Sequence, residues 1–252
     1  MSGHSKWHSI KHKKAAADAK RGKIFNRHAK LVEVAARQGG GDPEKNPRLR
    51  TEIQAARDAN MPNDKIERAI MKGTGQIEGV QYEEVMYEAY GPEGVALMID
   101  TLTDNKNRTV GEIRHLLTKH GGNLGESGSV AWNFTQKGVI HVPVEGNDED
   151  KVLETVIEAG AEDFSTEGDV FEVTTDPKDF MQVREALDGA GIPVRSGQIT
   201  RVPGSTVKLE SEDLARKVLK LMDVLDDHDD VQNVSANFDI PEGVMEALGD
   251  EV

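Results

Sequence analysis

The sequence predicts an α+β fold: an N-terminal helical domain followed by two ferredoxin-like α/β sandwich domains, the last inserted in the middle one. Three observations lead to this prediction. Apolar residues recur at three- and four-residue steps up to about residue 73, and strand and helix patterns then alternate. Residues 137–203 follow the order β-α-β-β-α-β of a complete sandwich. The segments on either side are each too short for a domain and together supply a second one.

These patterns divide the chain into four parts. The chain has 252 residues, which exceeds the roughly 100 to 200 residues of one domain. We expect a basic helical domain with a mobile N-terminal arm at 1–79, a split α/β domain at 80–136 plus 204–240, an inserted α/β domain at 137–203, and an acidic C-terminal tail at 241–252.

Three helices are predicted in the first domain, at about 17–38, 47–60 and 65–72. Pro47 suits the first turn of the second helix, because its fixed backbone angle is already helical. Asn63 or Asp64 is expected to cap the third helix, and Gly73 to end it in a left-handed conformation.

The remaining elements alternate along the chain. Strands are predicted at 82–89, 95–102, 129–134, 138–142, 163–165, 170–174, 198–201, 206–209 and 231–238, and helices at about 110–120, 150–159, 177–190 and 211–225. Thr109 and Glu112 have the spacing of a capping box, which would start the helix at residue 110.

Charge is distributed unevenly between the two parts of the chain. The net charge is −14, yet residues 1–77 carry 17 Lys and Arg against 8 Asp and Glu. Residues 78–252 carry the remaining 14 Lys and Arg against 37 Asp and Glu. The basic part is typical of a surface that binds a polyanion. For the acidic α/β domains we expect contact with a protein.

Composition also excludes several kinds of function. The chain has no cysteine, which rules out disulfides, cysteine-based zinc sites and a thiolate nucleophile. No apolar run approaches the roughly 20 residues that span a bilayer, and the N-terminus lacks the apolar core of a signal peptide. We therefore expect a cytoplasmic protein without a membrane partner.

The predicted nucleic-acid contact lies in the arm and the first helix. Dense cations bind phosphate through Coulomb attraction and counterion release, and Trp7 adds a stacking surface that favours unpaired RNA bases over duplex DNA. The alternative is a solvated helix face with a disordered tail. The candidate contacts are Lys6, Trp7, Lys11, His12, Lys13, Lys14, Lys20, Arg21, Lys23, Arg27 and Lys30.

Other motifs suggest further sites. The second and third helices could form a helix-turn-helix with Lys65, Arg68 and Lys72 on one face, although such stripes are usually solvent faces. Asn107 and Arg108, near a helix start, are secondary candidates for an anion site, and an enzyme with an anionic substrate there is an alternative.

Three further patterns are not interpreted as metal sites or phosphate cradles. His4, His8 and His12 recur every fourth residue, but the neighbouring lysines repel a metal cation. The glycine-rich segment 121–129 is interpreted as a connection or binding loop rather than a phosphate cradle, and 226–230 as a solvated acidic turn. We predict no catalytic residue, metal or cofactor.

Several motifs resemble the YebC family along essentially the whole chain. They are Gly3-His4-Ser5-Lys6-Trp7, Lys20-Arg21-Gly22-Lys23-Ile24-Phe25, Asn60-Met61-Pro62-Asn63-Asp64-Lys65, Tyr87-Glu88-Ala89-Tyr90-Gly91-Pro92, Leu102-Thr103-Asp104-Asn105-Lys106-Asn107-Arg108-Thr109 and Gly121-Gly122-Asn123-Leu124-Gly125. The resemblance implies three domains and no catalytic activity. It also implies either a DNA-binding transcriptional regulator or a factor that acts on rRNA or tRNA at the ribosome to support translation. The stacking surface of Trp7 favours the ribosome.

Overall fold

The computed structural model describes residues 18–248, without the side chains of residues 18–20, 242 and 246. The helices are α1 (Asp18–Gly39), α2 (Pro47–Asp58), α3 (Asn63–Gly73), α4 (Lys106–Lys119), α5 (Glu149–Glu158), α6 (Phe180–Gly189), α7 (Glu212–Asp226) and α8 (Glu242–Leu248). The strands are β1 (Glu83–Tyr90), β2 (Ala96–Thr103), β3 (Asn123–Leu124), β4 (Phe134–Pro143), β5 (Asp163–Glu167), β6 (Val170–Thr175), β7 (Ser196–Pro203), β8 (Val207–Lys208), β9 (Val231–Ala236) and β10 (Phe238–Asp239). The predicted fold class is confirmed: N-terminal helices precede two antiparallel α/β sandwiches.

The chain divides into two compact units. One unit combines Ile24–Val80 with Gln136–Thr200, and the other combines residues 18–23, Gln81–Thr135 and residues 201–248. The first unit holds α2, α3 and the inserted sandwich, and the second holds the split sandwich. No helix among residues 18–248 is both long enough and apolar enough to cross a membrane.

In the helical domain, Asn46 joins α1 to α2. Its Oδ1 accepts the Leu49 amide hydrogen at 3.1 Å and so caps α2. Its Nδ2 donates to the carbonyl oxygens of Ala35 and Gly40, each at 2.8 Å. Asn46 is buried, so the hydrogen bonds with Leu49 and Ala35 are shielded from water and the one to Gly40 is partly shielded. They hold the end of α1 against the start of α2.

The ends of α3 differ from the prediction. Neither Asn63 nor Asp64 caps the helix, which begins at Asn63 with Pro62 in the cap position and no side-chain hydrogen bond there. Gly73 is not the left-handed stop, because positive φ occurs at Gly75 instead. A Cβ atom on Gly73 would lie 2.3 Å from the Glu33 carbonyl oxygen. Glycine is therefore needed at residue 73 for the close approach of α3 to α1.

The inserted sandwich has the strand order β5-β6-β4-β7. Numbered within this domain the order is 2-3-1-4, which is the ferredoxin-like arrangement that its β-α-β-β-α-β sequence predicts. The core is formed by alternate residues of the strands, such as Ile140 and Val142, packed against α5 and α6 through Val152, Val156 and Val183.

The split sandwich has a four-stranded sheet with the order β3-β1-β2-β9. The predicted strand at 129–134 is wrong: residues 131–133 form a 3₁₀ turn, and β3 at 123–124 provides the edge strand. The predicted strand at 206–209 does not join this sheet either. Its shorter counterpart β8 pairs in parallel with β10.

Helices α4 and α7 cover one face of this sheet. Leu97 and Ile99 of β2 are fully buried and pack in one cluster with Ile113 and Leu117 of α4 and with buried residues of α7. After α7 and β9 the chain forms α8, whose Leu248 is buried in the same cluster.

The start of α4 also corrects the predicted capping box. Asn105 is the cap residue, and its side chain accepts the Arg108 amide hydrogen at 3.1 Å. Thr109 lies inside the helix and is fully buried. The helix therefore begins one turn earlier than the prediction, because an Asn cap four residues upstream replaces the Thr109 cap.

Candidate nucleic-acid interface

The predicted contacts on α1 differ in exposure. Arg21 and Lys23 are exposed, whereas Arg27 and Lys30 are half-buried. The Lys20 backbone belongs to α1, but its side chain is not described. The remaining predicted contacts, Lys6, Trp7, Lys11, His12, Lys13 and Lys14, lie outside the described residues.

Some basic side chains near these contacts already have partners. Lys23 Nζ donates to the Asp227 carbonyl oxygen at 3.0 Å and lies 3.6 Å from its carboxylate, within one unit. Arg37 donates to the buried Glu33 carboxylate at 2.9 Å and to the Val80 carbonyl oxygen at 2.7 Å. Arg37 therefore fixes the segment that follows α3.

Helix α3 presents further cations beside α1. Lys65 and Arg68 are exposed and Lys72 is half-buried, while Ile66 and Ala69 are buried on the opposite side of the helix. The Lys65 ammonium group lies 5.1 Å from the centre of the Phe25 ring on α1. This cation–π contact fixes the position of the charge without neutralising it. Within the described chain, Arg68 and Lys72 have no carboxylate partner.

The connection between α2 and α3 is a tight turn. Asn60 has a φ of 59°, and Met61 behind it is buried. The Met61 amide donates to the Ala56 carbonyl oxygen at 2.9 Å, which closes the end of α2. The two helices thus have the short connection of a helix-turn-helix, with the cations of α3 facing outward.

The secondary anion candidates Asn107 and Arg108 lie in the first turn of α4. Arg108 donates to the Asp230 carboxylate at 2.6 Å and to Asp104 at 3.0 Å. The hydrogen bond to Asp230 and its negative charge raise the pKa of Arg108. Because carboxylates occupy this guanidinium group, an anionic substrate would have to compete with them. The anion site remains a prediction.

Asp230 belongs to a buried polar network. Its Oδ2 also accepts the Thr109 hydroxyl at 2.8 Å, and its amide donates to His228 Nδ1 at 3.1 Å. His228 Nε2 lies 2.9 Å from the Glu112 carboxylate. The prediction of a solvated turn at 226–230 is therefore wrong for Asp230, which is only 5% exposed.

Glu112, His228 and Asp230 are close enough for their ligand atoms to surround one cation. However, Asp230 Oδ2 already accepts two hydrogen bonds, one of them from the guanidinium group of Arg108. His228 Nδ1 accepts a backbone amide, so Nε2 carries the proton when the ring is neutral. The hydrogen bonds favour a structural network over a metal centre.

The glycine-rich loop after α4 is organised by Glu88, a buried residue of β1. Its carboxylate accepts the amide hydrogens of Gly128, Val130 and Ala131 at 2.6, 2.7 and 2.9 Å. Burial raises the pKa of Glu88, but these three hydrogen bonds outweigh it and leave the pKa lowered. These amides are therefore occupied by the protein's own carboxylate rather than free to cradle a phosphate.

The inserted sandwich contains one trio of polar residues that sequence reasoning missed. His141 is buried on β4, with Nδ1 3.1 Å from Ser196 Oγ and Nε2 3.1 Å from Glu172 Oε2. These residues are 55 and 31 positions apart from His141 in the chain, so no local spacing could have indicated the contact. The trio ties together strands β4, β6 and β7.

Comparison with known proteins gives consistent matches along the chain. Residues 5–76 match the family model for the TACO1/YebC protein N-terminal domain, and residues 82–238 match the model for the TACO1/YebC second and third domain. A relative from Persephonella marina is 56% identical over 98% of this chain and 100% of its own length. One from Halothermothrix orenii is 54% identical over the full length of both chains. Both relatives are named probable transcriptional regulatory protein.

A solved structure is also similar. The crystal structure of a conserved hypothetical protein from Aquifex aeolicus superposes with a TM-score of 0.82 at 51% sequence identity. The match covers 89% of this chain and 93% of that protein.

Proposed function

Because the chain belongs to the TACO1/YebC family, we propose that it is a non-enzymatic, nucleic-acid-binding regulator of gene expression. The basic N-terminal third is the contact surface. It binds rRNA or tRNA on the ribosome in the cytoplasm and supports translation elongation.

The observation that carries this proposal is the confinement of positive charge. Residues 1–77 hold 17 of the 31 Lys and Arg residues of an otherwise acidic chain. Within this part, Lys65 and Arg68 point outward from α3, and Arg21 is exposed on α1. A surface of this kind binds phosphates without reading a sequence.

RNA is favoured over DNA by Trp7, which lies among the lysines of the arm in the sequence. Base stacking on an aromatic ring requires unpaired bases, which ribosomal RNA and tRNA offer and duplex DNA does not. We propose Lys6, Lys11, Lys13 and Lys14 as the phosphate contacts around it.

The second candidate is a DNA-binding transcriptional regulator. It is favoured by the names of the relatives and by the α2–turn–α3 geometry. In that function, α3 would enter the major groove with Lys65, Arg68 and Lys72 toward the phosphates. In both functions, the acidic α/β domains contact a protein partner.

Sedimentation of native lysate through a density gradient separates the two candidates. At low salt we expect this protein to travel with ribosomes, to leave them at moderate salt, and to stay with them after nuclease digestion of DNA. A variant with glutamine at Lys6, Lys11, Lys13 and Lys14 should no longer sediment with ribosomes. A control variant with glutamine at Lys106, Lys137, Lys151 and Lys178 should sediment like wild type. Retention on duplex DNA without ribosome association would replace the first candidate by the second.

A further inference from the structure

A basic groove lies in the split sandwich, the acidic part of the chain. The groove has a volume of about 870 Å³ and lies between the end of α4, one side of α7 and the turn at 92–94. Lys119, Arg216, Lys217 and Lys220 line it, against two acids, Glu93 and Asp223. Four of the 14 Lys and Arg residues that follow residue 77 therefore meet in one place.

Backbone geometry brings these cations together. After Lys119, Gly121 adopts a φ of 81°, and the Gly122 amide donates to the Leu117 carbonyl oxygen at 2.8 Å, which ends α4 abruptly. A Cβ atom on Gly122 would lie 2.5 Å from the Tyr90 carbonyl oxygen. Only glycine permits so close an approach, which fixes the end of α4, where Lys119 lies, against the end of β1.

The lysines in the groove are not neutralised. Lys119, Lys217 and Lys220 are all exposed, and none of them forms an ion pair within the described residues. Arg216 differs, because it donates to Glu212 at 2.7 Å. Burial and the charges of Lys119 and Lys220 lower the pKa of His120 at the groove wall. A positive potential therefore acts on the groove from two separate helices.

Ordinary helix chemistry explains only part of this arrangement. Lys119 in the last turn of α4 complements the helix dipole, and an exposed lysine pair on α7 is typical of a solvated face. Neither effect requires lysines from two helices to converge while 37 acidic residues are available in the same part of the chain. Converging like charges repel one another, and a bound anion relieves that repulsion.

We propose that this groove is a second phosphate-binding surface, which holds the sugar–phosphate backbone of a single-stranded nucleic acid. The inference rests on the proposed function and extends it to a part of the chain whose net charge is negative. Its volume is at the upper end for small-molecule sites, which suits a run of backbone better than one phosphate group. No Phe, Tyr or Trp is among the residues that line it, and its cations therefore favour contact with phosphates.

The test compares three variants of the full chain by fluorescence anisotropy with a labelled single-stranded RNA over a range of salt concentrations. The groove variant has Lys119, Lys217 and Lys220 changed to glutamine. The matched control has the same change at Lys137, Lys151 and Lys178. The arm variant has Lys11, Lys13 and Lys14 changed to glutamine. Equal thermal midpoints of the groove and control variants establish that both are folded.

For the groove variant we expect weaker binding than the control and a salt slope of log K that is smaller by up to about 2, since each single-strand phosphate contact contributes about 0.7. A groove variant with the same RNA affinity and salt slope as the control overturns the inference. If the arm variant still loses affinity in that case, the proposed function stands. If wild type binds no RNA and no DNA, both fail.

A further arm of the test separates a nucleic-acid backbone from free phosphate. Inorganic phosphate at millimolar concentration should raise the thermal midpoint of wild type by no more than it raises that of the groove variant. If phosphate raises the midpoint of wild type more, while both proteins bind RNA equally well, the groove is a site for a small phosphorylated ligand and the inference is wrong.

Discussion

Removing one partner of the buried ion pair between Arg184 and Asp58 is expected to destabilise the first unit strongly. The guanidinium group of α6 donates to both carboxylate oxygens of Asp58 on α2, at 2.6 and 2.9 Å. The two side chains are only 7% and 11% exposed. Changing Asp58 to alanine leaves a buried cation with Asp188 at 3.4 Å as its remaining acidic partner. Loss of one member of a buried pair costs about 3 to 5 kcal/mol, and Asp188 places the expected loss near 3 kcal/mol.

Thermal unfolding measures this loss directly. For a protein of this size, about 3 kcal/mol corresponds to a fall in Tm of roughly 6 to 12 °C. The control is Asp188→Ala, which removes an exposed carboxylate and should cost less than about 1 kcal/mol. A double variant, Asp58→Ala with Arg184→Met, should recover much of the loss because no unpaired charge remains buried. The reasoning would be refuted if Asp58→Ala had the same Tm as wild type, or if the double variant were no more stable than the single one.

Three further predictions concern single side chains. Glu88→Gln should cost about 2 kcal/mol by urea denaturation, since the backbone amide donors lose a charged acceptor. Because the pKa of Glu88 is lowered in the folded protein, the stability advantage of wild type is fully present above the ordinary glutamate pKa and disappears as the pH falls through the lowered value. A stability difference that does not change with pH would contradict this reasoning. Gly73→Ala should cost about 1 to 3 kcal/mol through its clash with the Glu33 carbonyl oxygen. Gly22→Ala, where no described atom lies within 4 Å of the added Cβ, should instead stabilise the helix by up to about 1 kcal/mol. Asn46→Ala should cost about 2 to 3 kcal/mol in thermal unfolding. Asn46→Asp keeps the cap but turns a buried carboxylate oxygen toward the Ala35 and Gly40 carbonyl oxygens, so it should cost at least as much at neutral pH.

Elements with strong local patterns could be predicted from the sequence. Helix α1 spans Asp18–Gly39, one residue from the predicted 17–38, because apolar spacing and three glycines mark its extent. The strands of the inserted sandwich were also identified, since their alternation and turns are local signals. The predicted strand at 129–134 failed because the amides of Gly128, Val130 and Ala131 bind Glu88, a residue about 40 positions away in the chain.

The candidate sites show the same limit. A basic first helix is visible in the composition, but the partners of Lys23 and Arg37 are not, because they lie far along the chain or on its backbone. The groove was missed because Lys119 and Lys217 are separated by nearly a hundred positions and meet only when α4 packs beside α7. Long-range packing carries no signal in a local pattern.

The most direct test of the central claim is the salt dependence of RNA binding by wild type and by a variant with Lys6, Lys11, Lys13 and Lys14 changed to glutamine. If the basic N-terminal third holds the phosphates, the variant should bind more weakly, and its slope of log K against log salt should be smaller by up to about 3, at about 0.7 for each lost contact. An unchanged affinity and slope in this variant would contradict the account.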